Sequence, residues 1–252
     1  MIHEQVRREV AEAARQMVLR GLAHGTSGNV SARIGRDFFA VTPTGTDHAS
    51  LAVADIVVLD AAGRIVDGRL APTSEVPMHL GVYAARPDVG AIVHTHSDYA
   101  TTFSILREPI RAAHYLLAFA GPSVPCAEYA TYGTPRLAAN AVAALAGSRA
   151  TLLANHGVLA VGPDLRMALT VAESVEVVAG LYYRARLLGV PHILDDAEMA
   201  RVAELFRTYG QPAEGVEAAG ASEGAGASEG AEGAGASGDG RVPESGAPVP
   251  DP

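Results

Sequence analysis

From about Pro212 the chain loses the residue types from which a core is built, and that break bounds what it can fold into. Residues 214–252 hold eight acids and one base and contain no Leu, Ile or Phe; GASEGA occurs twice in tandem from Gly220 to Ala231. Such a stretch cannot bury enough apolar surface to offset the entropy of ordering it, so residues 213–252 are expected to form a disordered acidic tail. Folding then falls to residues 1–212, enough for one domain with a full core. The tail carries seven of the nine net negative charges. The remaining body is nearly neutral and offers no basic stripe to recruit nucleic acid.

Helical and strand-like patterns alternate along the body. Apolar positions at helical spacing (Val6, Val10, Ala13, Ala14, Met17, Val18) predict a helix over residues 3–21, stopped near Gly21 and Gly25. Short strands are predicted at 29–33 and 38–42, and a hairpin from 55–59 and 64–66. Thr73 and Ser74 are suited to cap a helix running to Ala85, which must end before Arg86-Pro87. A strand ending in His94 and His96 follows, then helices over 99–106 and 135–146, a strand ending at His156, a long helix from Pro163 to Leu188 and a last helix over 195–206. Strands interleaved with helices and joined by short turns predict an α/β fold of three layers, with a central, mostly antiparallel sheet flanked by helices.

No apolar run approaches the 18 or more residues of a membrane span, and the N-terminal residues carry acids with no apolar leader segment; a cytoplasmic protein without membrane contact is expected. Cys126 is the only cysteine, so there is no intramolecular disulfide and no thiolate cluster. All 19 basic residues are arginine. Without a lysine amine, Schiff-base carbon–carbon cleavage, P-loop phosphate binding and pyridoxal phosphate attachment are excluded. Carbonyl chemistry in this chain would need a metal ion as its electrophile.

His94-Thr95-His96 closes an apolar run. Side chains at i and i+2 of a strand share a face, so both imidazoles can reach one ion at about 2.0–2.1 Å. His156, in Asn155-His156-Gly157 at the end of a second apolar run, is the natural third ligand. Three protein ligands leave a position open, as a catalytic site requires. Gly25-Thr26-Ser27-Gly28-Asn29, Thr42-Pro43-Thr44-Gly45 and Pro72-Thr73-Ser74 combine glycines with small hydroxyl or amide groups, a composition that suits a phosphate cradle as well as ordinary turns and caps. Glu75 follows the last of these. It either complements the helix dipole or, if the helix start faces the metal, serves as a base or fourth ligand. His79, four residues on, shares its helix face and is expected to act structurally or behind the ligands. Tyr115 and Tyr132 read by themselves as buried aromatics, and Tyr209 as an anchor near the end of the ordered chain.

The motifs GTSGNVS, TPTG, TSE, VHTH, HYLLAFAG, PCAEYATYGT, LLANHG and RTYG, in this order, resemble those of the class II aldolase/adducin family over about five sixths of the chain. The resemblance implies a metal-dependent aldolase that reversibly cleaves a ketose 1-phosphate, such as L-fuculose 1-phosphate, to dihydroxyacetone phosphate and a small aldehyde such as L-lactaldehyde. It implies zinc, or manganese or cobalt, on His94, His96 and His156, with Glu75 a fourth ligand that doubles as acid and base. It further implies substrate phosphate on Thr26, Asn29, Thr44, Gly45, Thr73 and Ser74, Tyr115 at the aldehyde oxygen, Tyr209 in a C-terminal catalytic segment, and a C4 homotetramer with active sites between subunits. A Glu75 that returns a proton is expected to be desolvated, with a raised pKa. Val76-Pro77-Met78 departs from the bulkier residues of fuculose phosphate aldolases and Thr73 replaces a serine, so the aldehyde is left open, with a 5-deoxypentulose 1-phosphate as an alternative substrate. Rivals within the fold are sugar-phosphate epimerases, which carry Asp in place of Glu75, and dehydratases; an adducin-like scaffold is the non-enzyme rival, weakened by the three retained histidines.

Overall fold

The structure is a computed structural model and describes residues 2–208. Ten strands and six helices follow in the order α1 (Glu4–Leu19), β1 (Asn29–Ile34), β2 (Phe38–Val41), β3 (Val57–Asp60), β4 (Ile65–Asp67), α2 (Val76–Ala85), β5 (Ala91–Thr95), α3 (Asp98–Leu106), β6 (Ile110–Arg111), β7 (Ser123–Val124), β8 (Cys126–Ala127), α4 (Pro135–Ala144), β9 (Ala150–Leu153), β10 (Gly157–Gly162), α5 (Leu165–Leu188) and α6 (Asp196–Thr208). Eight strands make one sheet in the order β4-β3-β2-β1-β5-β10-β9-β8; β6 and β7 pair separately. Every neighbouring pair in the large sheet is antiparallel except β8 with β9. The expected α/β fold with a mostly antiparallel central sheet is what forms.

The period of two along the central strands sorts the layers. Val30 and Ala32 of β1, Ala91 and Val93 of β5 and Val158 and Ala160 of β10 belong to one buried cluster with residues of α1, α3 and α5. Their alternates Ile92, Leu159 and Val161 join a second cluster with Met78 and Val82 of α2 and Leu137 and Ala141 of α4. Burial of each such Leu or Ile side chain stabilises by roughly 1.5–3 kcal/mol, so the two clusters fix which face each strand presents. His94 lies two residues beyond Ile92 and therefore shares the α2/α4 side. In the register, Asn29 stands opposite His94 and Ser31 opposite Ile92 on one flank, and Leu159 stands opposite His94 on the other.

Several boundaries differ from expectation, each for a local reason. Helix α2 starts at Val76, not at Thr73, because Thr73 Oγ1 accepts the Glu75 amide (3.3 Å) in a turn and Glu75 takes the cap position. Asp55 belongs to a short 3-10 turn, Val53–Asp55, before β3. His156 sits neither on the preceding strand nor on the next: it is in the turn between β9 and β10, whose antiparallel pairing sets Leu153 opposite Gly157. Asp164 and Asp195 cap α5 and α6 by accepting the amides of Met167 and Glu198, both at 2.7 Å. Among the described residues no helix is long and apolar enough to cross a membrane. Tyr209 and the expected tail over 213–252 lie outside the described residues.

Candidate active site

One strand end and one turn bring three imidazoles together. His94 is the fourth residue of β5 and His96 follows the strand's last residue; their Nε2 atoms are 3.0 Å apart. His156 reaches the same point from the β9–β10 turn, its Nε2 3.3 Å from that of His94. The turn is held by Asn155, which adopts a left-handed φ of 54° and accepts both the Nε and Nη2 protons of Arg107 on Oδ1, at 3.1 and 3.0 Å. Gly157 then lets the strands close up. A Cβ there would stand 2.3 Å from the Thr95 carbonyl and 2.9 Å from His96 Cδ2.

Glu75, at the start of α2, overhangs this cluster. Its Oε2 is 3.1 Å from His94 Nε2 and its Oε1 is 3.7 Å from His156 Nε2. Asn29 donates to Oε2 at 2.8 Å. Burial pushes the Glu75 carboxyl up, but the neighbouring imidazoles of His94 and His156 and the Asn29 amide donor outweigh it, and the group is held well below the usual carboxylate range. The expected raised value is therefore reversed: the carboxyl is desolvated, as foreseen, yet imidazoles and an amide donor surround it. His94 responds in kind, since Glu75 pushes it up against the effect of burial. Burial, together with the charges of their imidazole neighbours, lowers His96 to about 3 and His156 to about 4.

The donor set fits a divalent cation. Val158 O accepts His94 Nδ1–H at 2.8 Å, which turns the Nε2 lone pair into the cluster. Nitrogen lone pairs about 3 Å apart repel unless a cation lies among them, and ligands at about 2.0–2.1 Å on a tetrahedral ion are themselves about 3.4 Å apart. Glu75 Oε1 is buried without a hydrogen-bond partner, an acceptor in want of a cation. Three imidazoles and one carboxylate oxygen suit zinc, manganese or cobalt.

A cavity of about 290 Å³ opens beside the cluster, lined by all six residues of the expected phosphate cradle: Thr26, Asn29, Thr44, Gly45, Thr73 and Ser74. Backbone pairing explains how distant loops meet: Thr44 N donates to Ala71 O and Thr73 N to Thr42 O, both at 3.0 Å. Glu75, His96 and His156 line the same space. Gly28, on the cavity wall, has φ +76° and a Cβ there would fall 2.6 Å from His94 O, so only glycine fits.

Three placements depart from the sequence reading. Tyr132, read as a buried aromatic, is 64 % exposed and lines the cavity. Tyr115 is neither buried nor on that cavity; it is 48 % exposed, with its ring against His114 (4.5 Å between centroids) and Phe206 (6.1 Å). Met78 is buried in the α2/α4 cluster, so at least this residue of the Val76-Pro77-Met78 departure faces the core and not the cavity. Cys126 is half-buried, and burial pushes its thiol up, away from a nucleophile's range.

The family described as "Class II Aldolase and Adducin N-terminal domain" matches residues 8–183. The chain belongs to the class II aldolase/adducin family. A 5-deoxy-D-ribulose 1-phosphate aldolase of Bacillus thuringiensis serovar kurstaki is 40% identical to this class II aldolase over 212 residues, 84% of this chain and 100% of that protein. An L-fuculose phosphate aldolase of Escherichia coli O6:H1 is 42% identical over 212 residues, 83% of this chain and 98% of that one. A solved structure of an L-fuculose 1-phosphate aldolase superposes with a TM-score of 0.79 at 44% identity, covering 82% of this chain and 98% of the other. The chain is thus a class II aldolase of a metal-dependent family, and its relatives are named for phosphorylated sugars.

Proposed function

We propose that this class II aldolase uses zinc held by His94, His96, His156 and Glu75 to cleave a ketose 1-phosphate, such as L-fuculose 1-phosphate, to dihydroxyacetone phosphate and a small aldehyde such as L-lactaldehyde. The observation that carries the reading is a shared cavity: the hydroxyl-rich cradle, Glu75 and two of the three clustered histidines, His96 and His156, line one space. When bound, the ion supplies a Lewis acid that stabilises negative charge on the ketose oxygens as the carbon–carbon bond breaks.

The chain's own residues do the rest. Thr26, Thr44, Gly45, Thr73 and Ser74 hold the phosphate with neutral donors and so orient the ketose carbons toward the cluster. Asn29 borders that cradle while its amide serves Glu75. Glu75, unprotonated at neutral pH, takes the C3 proton of dihydroxyacetone phosphate in the condensation direction and returns it in cleavage. Tyr115 acts at the aldehyde oxygen of a neighbouring subunit's site, which its outward position supports, and Tyr209 completes the site from the C-terminal segment. A C4 tetramer and a cytoplasmic location belong to the same reading, as does a catalytic domain of residues 1–212.

A 5-deoxypentulose 1-phosphate is the second substrate to test, because the Bacillus thuringiensis relative named for 5-deoxy-D-ribulose 1-phosphate matches along its full length. A coupled assay for dihydroxyacetone phosphate across a panel of ketose 1-phosphates, with and without chelator, separates these cases. Release from L-fuculose or 5-deoxyribulose 1-phosphate that chelator abolishes is expected. No triose phosphate from any substrate would contradict the reading.

A further inference from the structure

Ser31, His79 and Tyr83 take no part in the chemistry above, yet they are 0, 0 and 2 % exposed. Four hydrogen bonds join them to the site in single file. Tyr83 OH stands 2.8 Å from Ser31 Oγ, and Ser31 Oγ 2.6 Å from His79 Nδ1. His79 Nε2 stands 2.5 Å from Asn29 Oδ1, and Asn29 Nδ2 2.8 Å from Glu75 Oε2. Two elements supply the whole row: Asn29 and Ser31 are alternate residues of β1, and Glu75 and His79 are one helical turn apart at the start of α2.

The direction of donation is fixed from one end. A carboxylate only accepts, so Asn29 Nδ2 donates to Glu75 and its amide oxygen faces His79. An amide oxygen also only accepts, so His79 Nε2 donates. The neutral imidazole then accepts on Nδ1 from the Ser31 hydroxyl, and the Ser31 oxygen accepts from Tyr83 OH. Each hydrogen is used once. Turning the row around would set Asn29 Oδ1 against the Glu75 carboxylate with no proton between the two oxygens.

We propose that His79, anchored by Ser31 and Tyr83, is a positioning residue that holds the Asn29 amide as a donor to Glu75 Oε2 and so fixes the carboxylate with Oε2 beside His94 and Oε1 on the side of His156. The inference rests on the role given to Glu75 under Proposed function. The row is a lock and not a proton path, because its far end is closed. The Tyr83 ring stacks on Phe39 at 4.7 Å and lies under the Arg33 guanidinium at 4.8 Å. It also removes one hydrogen of Asn29 from the phosphate cradle, which makes Asn29 the residue through which the cradle and the carboxylate meet.

The test uses the zinc-loaded full chain and the variants His79→Leu, His79→Gln, Ser31→Ala and Tyr83→Phe. Nitrogen NMR reads the His79 tautomer, chelator competition reads zinc affinity, and kcat and KM are measured on the best ketose 1-phosphate. The proton of wild-type His79 is expected on Nε2 alone. His79→Leu and Ser31→Ala are expected to weaken zinc by about tenfold or more and to lower kcat with KM nearly unchanged. His79→Gln, whose amide can still donate to Asn29, recovers most of both, and Tyr83→Phe gives a smaller loss than Ser31→Ala. If His79→Leu does not fold, Ser31→Ala and the wild-type tautomer still decide. A proton on Nδ1, or folded Ser31→Ala and His79→Leu proteins that bind zinc as wild type does, would overturn the proposal. A wild type inactive on every ketose 1-phosphate would instead overturn the functional reading, and the tautomer and zinc affinities would still judge this one.

Discussion

The Val158 carbonyl accepts the Nδ1 proton of His94 at 2.8 Å, and that contact aims the other ring nitrogen at His96 and His156. It links the pairing of β5 with β10, which sets Val158 opposite Thr95 and so one residue along from His94, to the chemistry of the centre. A metal ligand here is thus oriented by backbone, and changes to the backbone next to it should read out as metal affinity.

Gly157→Ala tests this link. The added Cβ would meet Thr95 O at 2.3 Å and His96 Cδ2 at 2.9 Å, so either the strands part or His96 moves. Zinc affinity is expected to fall by about tenfold to a hundredfold, with stability lowered by about 1–3 kcal/mol. Chelator competition and urea denaturation check the two effects, and wild-type zinc affinity would mean that His96 does not depend on this close approach.

Glu75→Gln keeps the shape of the side chain and one oxygen while removing the base. Bound zinc should be retained through the three histidines, and solvent exchange of the C3 proton of dihydroxyacetone phosphate should fall by about 10²- to 10⁴-fold. Exchange at the wild-type rate would remove Glu75 from proton transfer.

Ser74→Ala takes one hydroxyl from the cavity wall. A hydrogen bond to a charged group contributes about 1.5–3 kcal/mol, so KM should rise by about tenfold or more while kcat changes little. Inhibition by inorganic phosphate should weaken in parallel. If KM and phosphate inhibition are both unaltered, the cradle binds some other part of the substrate.

Without metal, stability should decline with acid as the lowered histidines His79, His96 and His156 resist protonation, and His79 is the one whose share a variant outside the ligand set isolates. Burial lowers His79 from an ordinary 6.5 to about 4. Above pH 6.5 both folded and unfolded chains hold it neutral; below, the unfolded chain takes up a proton that the folded one refuses, so stability is lost as pH falls until about 4. The full loss is on the order of 3 kcal/mol. Glu75, held low in the folded state, acts in the same direction below its ordinary 4.5. Denaturation with chelator present should show wild type losing about 2 kcal/mol more than His79→Gln between pH 7 and pH 5; equal losses would mean that His79 titrates normally.

The period-two spacing of His94 and His96 made the metal pair legible in the chain itself, because that geometry is local. The third ligand was legible as a residue but not as a place: His156 belongs to a hairpin turn whose partner strand, β10, carries no signal that separates it from β9. Asn29 looked like a cradle residue because its neighbours are Thr and Gly. Its contact with Glu75 spans 46 residues and exists only because β1 pairs with β5 beneath the start of α2. Tyr132 read as buried because a large aromatic side chain usually is, whereas it is exposed and lines the cavity. The two-residue strands β6, β7 and β8 are too short to show a period at all.

Hydrogen–deuterium exchange at C3 of dihydroxyacetone phosphate, followed by NMR, tests the central claim without any assumption about the aldehyde. The zinc-loaded protein is expected to catalyse the exchange, and both chelator and His96→Ala are expected to abolish it together with metal binding. Wild-type protein that binds zinc but leaves the C3 proton in place, or a His96→Ala protein that still exchanges it, would contradict the account.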